Sequence, residues 1–312
     1  MKILVSDKVH DAGLDKFKEA GFEVDEKTGL QPDEIKAIIK DYDGLVIRSA
    51  TKVTADLLDA AENLKVVGRA GTGLDNVDIP SATAKKVAVM NTPGQNSNAA
   101  AELAIAMLFS LARHIPRACS SLKACKWEKK SLQGREVMGK TLGVLGFGNI
   151  GRIVGELGRG VKMTVLAYDP YLSDDQIREK GGEPVTLDQL LARSDYISIH
   201  VPKTEETTNF FNSETVGRMK DGAYLINCAR GGIVNEDALY DALTSGKLAG
   251  GALDVFETEP PGEHKLLELE NFICSPHIGA STLEAQINVA VAVADQIITF
   301  LNGGEAVNAV NV

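Results

Sequence analysis

Arg230, Glu259 and His277 form a set that could move a proton while holding a carboxylate. Histidine titrates near neutrality, so it can take a hydroxyl proton and later return it. A glutamate bonded to its other ring nitrogen sets the tautomer and stabilises the imidazolium. Arginine suits a carboxylate because its planar fork makes two parallel hydrogen bonds. Oxidising a secondary alcohol by hydride transfer needs those three roles together. Each residue alone has a plainer reading: a strand-end ion pair, a solvated turn glutamate, a satisfied core histidine. No GxSxG or other nucleophile signature and no zinc-type ligand set is visible, so neither hydrolysis nor a metal is expected.

A hydride needs an acceptor. Residues 141–170, TLGVLGFGNIGRIVGELGRGVKMTVLAYDP, are arranged to hold one. An apolar run at 142–145 turns through Gly146, Phe147, Gly148, Asn149, Ile150 and Gly151 into a helical pattern. A second apolar run at 163–167 then ends at Tyr168 and Asp169. Gly146 permits the tight turn, Gly148 lets the backbone approach a pyrophosphate, and Gly151 lets the helix pack on the strand. The helix N-terminus offers unpaired N–H groups and a positive dipole end to the phosphates. Asp169 is placed to accept the ribose hydroxyls and repel a 2′-phosphate, so the cofactor expected is NAD. The alternative is an empty βαβ unit whose glycines serve only packing.

The 312 residues suffice for two domains of ordinary size, and 44% are hydrophobic. A formal charge of −10 argues against nucleic acid as a partner, so an anionic substrate must be held by a local basic pocket. The four cysteines, Cys119, Cys125, Cys228 and Cys274, show no CxxC spacing and read as reduced thiols. The N-terminus shows no signal peptide, and the apolar stretch 99–112 is too short for a bilayer and contains Glu102. The expectation is a cytoplasmic protein with no membrane association.

The elements that must position these residues follow a short strand–helix rhythm. Strands are expected at 3–5, 22–24, 45–48, 64–67 and 87–90, with helices at 11–20, 32–40, 54–61 and 79–86. A long apolar helix is expected at 98–118, followed by an irregular cationic segment at 120–140 that carries Trp127. After the glycine turn come strands at 196–200, 223–227, 251–255 and 272–275, helices at 187–192 and 236–244, and a last apolar helix at 282–301. Ligands of doubly wound sheets bind beyond the carboxyl ends of the strands, and here those ends carry glycine, aspartate, arginine or histidine. The fold expected is α/β, two Rossmann-like doubly wound parallel-sheet domains with the nucleotide-binding one inserted into the other. The substrate-binding domain takes 1–98 and 284–312, and the NAD-binding domain 99–283. Two consecutive domains with a C-terminal tail are the alternative.

The blocks GFGNIG, NCARGGIVNEDAL, ALDVFETEP and SPHIGAST resemble the D-isomer-specific 2-hydroxyacid dehydrogenase family. VIRSATKVTADLL, VVGRAGTGLDNVD, MNTPGQNSNAAAELA and VNAVNV narrow the likeness to a branch whose 2-hydroxy acid is phosphorylated. The resemblance spans practically the whole chain and implies that Arg230, Glu259 and His277 are the catalytic residues. It implies that the backbone of Gly71, Thr72 and Gly73 meets the substrate carboxylate, that Arg48 and Arg69 lie near its phosphate, and that Asn96 lines the crossing between domains. Phe147 to Ile150 would wrap the pyrophosphate, and His200, Val201, Pro202 and Thr207 would flank the adenosine and phosphates. Asp254 would stand near the nicotinamide amide, and Cys228, Ala229 and Gly279 would also contact the cofactor. Relatives often continue into C-terminal regulatory modules, so control through such a module is not expected in a chain ending at Val312. A homodimer is expected, with the helix from Asn98 and the Trp127 segment at its interface. The same residues would also serve glyoxylate, hydroxypyruvate or D-lactate, or a dinucleotide-sensing binding protein without turnover.

Overall fold

Runs such as Ile3-Leu4-Val5 and Leu45-Val46-Ile47 are apolar at every position, which suits strands covered on both faces of a parallel sheet. In the structure, a computed structural model describing residues 1–312, they form such a sheet and are fully buried. Strands β1 (Lys2–Val5), β2 (Glu23–Glu26), β3 (Gly44–Ile47), β4 (Val66–Arg69) and β5 (Ala88–Met90) lie in the order β2-β1-β3-β4-β5, all parallel. Ile3, Val5, Val46 and Val66 face helices Asp11–Glu19 and Leu283–Leu301. Leu4, Leu45, Ile47 and Val67 face helices Pro32–Ile38, Ala55–Ala60 and Ile79–Ala84. This split unit comprises Met1–Asn96 and Ala280–Val312. Its outer strand is stitched to the tail: the Val310 N–H donates to the Val89 carbonyl at 2.9 Å, and the Val89 N–H to Asn311 Oδ1 at 2.8 Å. Helix Leu283–Leu301 is long and apolar enough by composition to cross a membrane, yet Val289, Val293 and Ile297 are buried against the sheet.

The continuous unit, Ser97–Gly279, holds seven parallel strands. They are β6 (Thr141–Leu145), β7 (Thr164–Tyr168), β8 (Glu183–Pro184), β9 (Tyr196–Ile199), β10 (Ala223–Asn227), β11 (Leu248–Leu253) and β12 (Phe272–Cys274). The order β12-β11-β10-β9-β6-β7-β8 reverses between β9 and β6, where a doubly wound sheet opens a crevice at its carboxyl edge.

The long helix expected at 98–118 is two helices, Ser97–Arg113 and Ile115–Lys123, bent by 64°. His114 between them adopts a left-handed conformation, φ 52°, and Pro116 opens the second helix, where its missing N–H costs no bond. Residues 120–140 are therefore helical at their start. Because the first helix already begins at Ser97, the units part at Asn96 and Ser97 and again at Gly279 and Ala280.

Candidate active site

The glycine turn after β6 is built for a ligand on its outer side. Gly146 has φ +86°, and a Cβ there would stand 2.7 Å from the His200 carbonyl oxygen. A Cβ on Gly151 would collide with the Gly146 carbonyl oxygen. Gly148 differs: its φ is −74°, and a Cβ would meet no protein atom within 4 Å. It caps helix Asn149–Gly160, whose first N–H groups receive no side-chain cap. An open approach to an uncapped helix N-terminus is the arrangement a pyrophosphate requires, so the residues present fit NAD. Gly148→Ala should therefore leave the fold intact and weaken NAD binding on the order of 100-fold, about 2.7 kcal/mol. Gly151→Ala should lower the melting temperature. Calorimetric titration and thermal melts check the pair, and wild-type NAD affinity in Gly148→Ala would remove the reading.

Asp169 at the tip of β7 accepts from the Phe147 N–H at 2.8 Å through Oδ2 and from the Tyr171 N–H at 2.9 Å through Oδ1. Each oxygen keeps a lone pair for a ribose hydroxyl. Phe147 does not fit the expectation that it touches the pyrophosphate. Its ring is fully buried against Gly155 and its N–H is taken by Asp169, which leaves Gly148, Asn149 and Ile150 on the accessible turn.

Across the switch point, the His200 N–H donates to the Leu145 carbonyl at 2.7 Å, while His200 Nε2 pairs with the Ser198 hydroxyl at 2.8 Å. Burial pushes His200 down to about 3, so it is a neutral hydrogen-bonding group rather than a proton carrier. The Thr207 hydroxyl donates to the Pro202 carbonyl at 2.7 Å and accepts from the Thr204 N–H at 2.7 Å, which holds the loop after Val201 in shape. Because His200 resists protonation in the folded state, its contribution to stability is present above the unfolded value of 6.5. It is lost as the pH falls toward 3, at up to about 1.4 kcal/mol per pH unit. Urea unfolding between pH 7 and pH 4 should show a shallower acid slope in His200→Gln than in the wild type. Equal slopes would assign the acid sensitivity elsewhere.

Arg230, Glu259 and His277 follow three neighbouring strands, β10, β11 and β12, at the same carboxyl edge. His277 Nδ1 and Glu259 Oε2 are 2.8 Å apart, and Glu259 Oε1 accepts the Phe256 N–H at 3.1 Å. The ring's Nε2 is left for substrate. Arg230 is half-buried and donates from Nη1 to the Ala229 carbonyl at 2.7 Å, while Asn227 Nδ2 donates to the Arg230 carbonyl at 2.9 Å.

His277 has φ +53°, a left-handed backbone that costs a side-chain-bearing residue about 1–2 kcal/mol. Asp254 holds it there. The Asp254 carboxylate accepts from the Ile278 N–H at 2.8 Å, the Gly279 N–H at 2.8 Å and the Ser275 hydroxyl at 2.5 Å, and its carbonyl takes the His277 N–H at 2.8 Å. Asp254 is 1% exposed, and its carboxylate positions the histidine loop. The Gly279 N–H is spent on the same carboxylate. The Cys228 thiol is likewise turned inward: it lies 3.6 Å from the Met107 sulfur, and burial pushes it up, which leaves it inert.

In the split unit, Arg48 and Arg69 end adjacent strands, and Arg69 Nε donates to the Arg48 carbonyl at 3.2 Å. Asp7, buried at the end of β1, accepts from the Arg48 N–H at 2.6 Å and from the Thr51 N–H and hydroxyl. Asn76 Nδ2 donates to the carbonyls of Arg48 and Thr51 at 2.8 and 2.6 Å. The sequence pattern does not single out Asp7 and Asn76, although Asp7 lies two residues beyond β1. Arg48 Nε is buried with no protein partner, a donor held in place for an acceptor from outside. Burial lowers Arg48 from its usual range, and Asp7 partly offsets this. Nearby, the Thr72 hydroxyl donates to Asn96 Oδ1 at 2.9 Å, Asn91 Nδ2 to the Thr72 carbonyl at 2.6 Å, and the Thr92 N–H to the Gly71 carbonyl at 3.0 Å. Gly73, one residue on, is partly exposed.

Residues 105–279 match the model of the D-isomer specific 2-hydroxyacid dehydrogenase, NAD binding domain. The chain is 49% identical over 311 residues to a D-3-phosphoglycerate dehydrogenase of Synechocystis sp., covering all of this chain and 56% of that protein. It thus spans little more than half of that relative. It is also 49% identical over 267 residues to a hydroxypyruvate reductase of Thermotoga maritima, covering 85% of this chain and 86% of that protein. The crystal structure of an NAD-bound 3-phosphoglycerate dehydrogenase of Entamoeba histolytica superposes with a TM-score of 0.85 at 31% identity, covering 100% of this chain and 99% of the other. With the glycine turn, the histidine–glutamate pair and these likenesses together, the chain belongs to the D-isomer specific 2-hydroxyacid dehydrogenase family and its cofactor is NAD.

Proposed function

We propose that this chain oxidises 3-phospho-D-glycerate to 3-phosphohydroxypyruvate, or runs the reverse reduction, as the first step of L-serine synthesis. The observation that carries this reading is the Arg48 and Arg69 pair on adjacent strand tips, with a buried Arg48 Nε lacking a protein partner. Two cations at one point suit a phosphate dianion that an unphosphorylated acid does not offer. The Synechocystis likeness supports the same substrate.

His277 Nε2 takes the C2 hydroxyl proton while Nδ1–H donates to Glu259, whose negative charge stabilises the imidazolium that forms. Arg230 holds the carboxylate and polarises the carbonyl that develops beside it. In the split unit, Gly71, Thr72 and Gly73 offer backbone to an acid substrate, and Asn96 holds Thr72 in place. Gly148 to Ile150 hold the pyrophosphate, Asp169 the ribose hydroxyls, and the His200–Pro202 loop braced by Thr207 the adenosine. When bound, NAD supplies the acceptor for the C2 hydride.

The deciding experiment measures kcat/KM for NADH oxidation with 3-phosphohydroxypyruvate beside unphosphorylated hydroxypyruvate. Strong preference for the phosphorylated acid supports the proposal. Preference for hydroxypyruvate supports a second reading, reduction of that acid, which the Thermotoga maritima relative favours.

The proposed assembly is a cytoplasmic homodimer formed through the continuous unit. Ile115, Leu122, Trp127 and Met138 there are 54%, 59%, 81% and 60% exposed, an apolar set that a second copy would cover. Sedimentation velocity should give a dimer for the wild type and a monomer for the double variant Leu122→Lys, Trp127→Lys. A wild-type monomer would refute it.

A further inference from the structure

A second histidine–carboxylate pair stands behind the first. His264 Nε2 lies 2.9 Å from Glu236 Oε2, with only 19% and 12% of the two side chains exposed. His264 Nδ1 accepts the Leu266 N–H at 3.3 Å, so the neutral ring carries its proton on Nε2 and donates it to Glu236. Glu236 Oε1 accepts the Glu257 N–H at 2.7 Å. One residue earlier, the Phe256 N–H is the donor that holds Glu259 Oε1. Consecutive amides of one turn are thus shared between the two carboxylates.

The surroundings favour a single placement for this brace. Asn235 caps helix Glu236–Thr244 by accepting the Ala238 N–H, which sets Glu236 in the first helical turn. The Phe256 ring meets His264 edge-on at 6.2 Å. On the solvent side Lys265 pairs with Asp237 at 2.8 Å and lies 4.4 Å over the Tyr240 ring, fastening the His264 segment to the same helix. A surface ion pair would contribute little and tolerate loss. A largely covered pair whose second oxygen holds a catalytic turn has a more specific consequence.

We infer that His264 and Glu236 are positioning residues that act through Glu259, holding the 256–259 turn so that its carboxylate stays on His277. The inference rests on the reading of His277 and Glu259 as the proton-handling pair. Its test is a double-mutant cycle on the full chain. His264→Leu and Glu236→Gln should each lower kcat about tenfold, with KM for NADH and the keto acid little changed, because a displaced catalytic group slows the chemical step. His264→Gln, whose amide N–H can still reach Glu236, should recover most of the loss. In a Glu259→Gln background His264→Leu should cost nothing further. The ring N–H resonance of His277 bonded to Glu259 should broaden in His264→Leu and persist in His264→Gln.

Unchanged kcat in His264→Leu, or an equal loss with and without Glu259, would overturn the inference and leave the His277–Glu259 reading standing. Wild-type turnover in His277→Ala would overturn both.

Discussion

His277→Ala is expected to lose kcat on the order of 1,000-fold, about 4 kcal/mol of barrier, while NAD binds as before. The reason lies in the division of the ring between two tasks. Nδ1 is committed to Glu259 at 2.8 Å, and Nε2 is the only nitrogen left to exchange a proton with substrate. Neither of the other two histidines in the 196–279 stretch can substitute: His200 is neutral and bonded to Ser198, and His264 is bonded to Glu236. The glycine turn is distant in sequence and bonds to Asp169 and Tyr168 instead of the ring, so the cofactor's site should survive the change. Stopped-flow turnover beside NAD titration separates the two, and a variant that turns over normally would move the proton chemistry elsewhere.

The second large effect is one of specificity. Replacing Arg48 and Arg69 together by alanine should lower kcat/KM for 3-phosphohydroxypyruvate on the order of 1,000-fold. Each charge-assisted contact is worth roughly 1.5–3 kcal/mol. The unphosphorylated acid should change only about threefold, since it has no dianion to lose. Asp7 and Asn76 hold the Arg48 backbone independently of its side chain, so the loop should keep its course in the variant. Parallel losses on both acids would mean that the arginines serve the carboxylate or the fold.

What could be read from residues alone followed local rules. Gly146, Gly148 and Gly151 are legible because each answers one steric demand of a strand–turn–helix, and the strands because parallel sheets write unbroken apolar runs. The bend at His114 escaped because the apolar pattern continues across it; Pro116 was its one local sign. The short strand Glu183–Pro184 and helices Asp174–Glu179 and Ser213–Gly217 carry too few residues to show a period. The groups that hold the site were hidden for another reason. Asp254 meets residues 275–279, Asp7 meets Arg48, and Glu236 meets His264, pairings between residues far apart in the chain. Phe147 shows the opposite error, in which a residue inside a ligand-binding motif turns out to belong to the core.

The stitched edge of the split unit bears on how the chain is made. Leaving the ribosome N-terminus first, it releases all five strands of the first sheet long before helix Leu283–Leu301 and Asn311 emerge to cover one face and the β5 edge. The continuous unit runs unbroken from Ser97 to Gly279, so it can close while the first sheet waits with Ile3, Val46 and Val66 uncovered. Chains truncated after residue 279 and released from the ribosome should therefore resist protease across 97–279 and be cut within 1–96, where chaperones would find their longest-lived target.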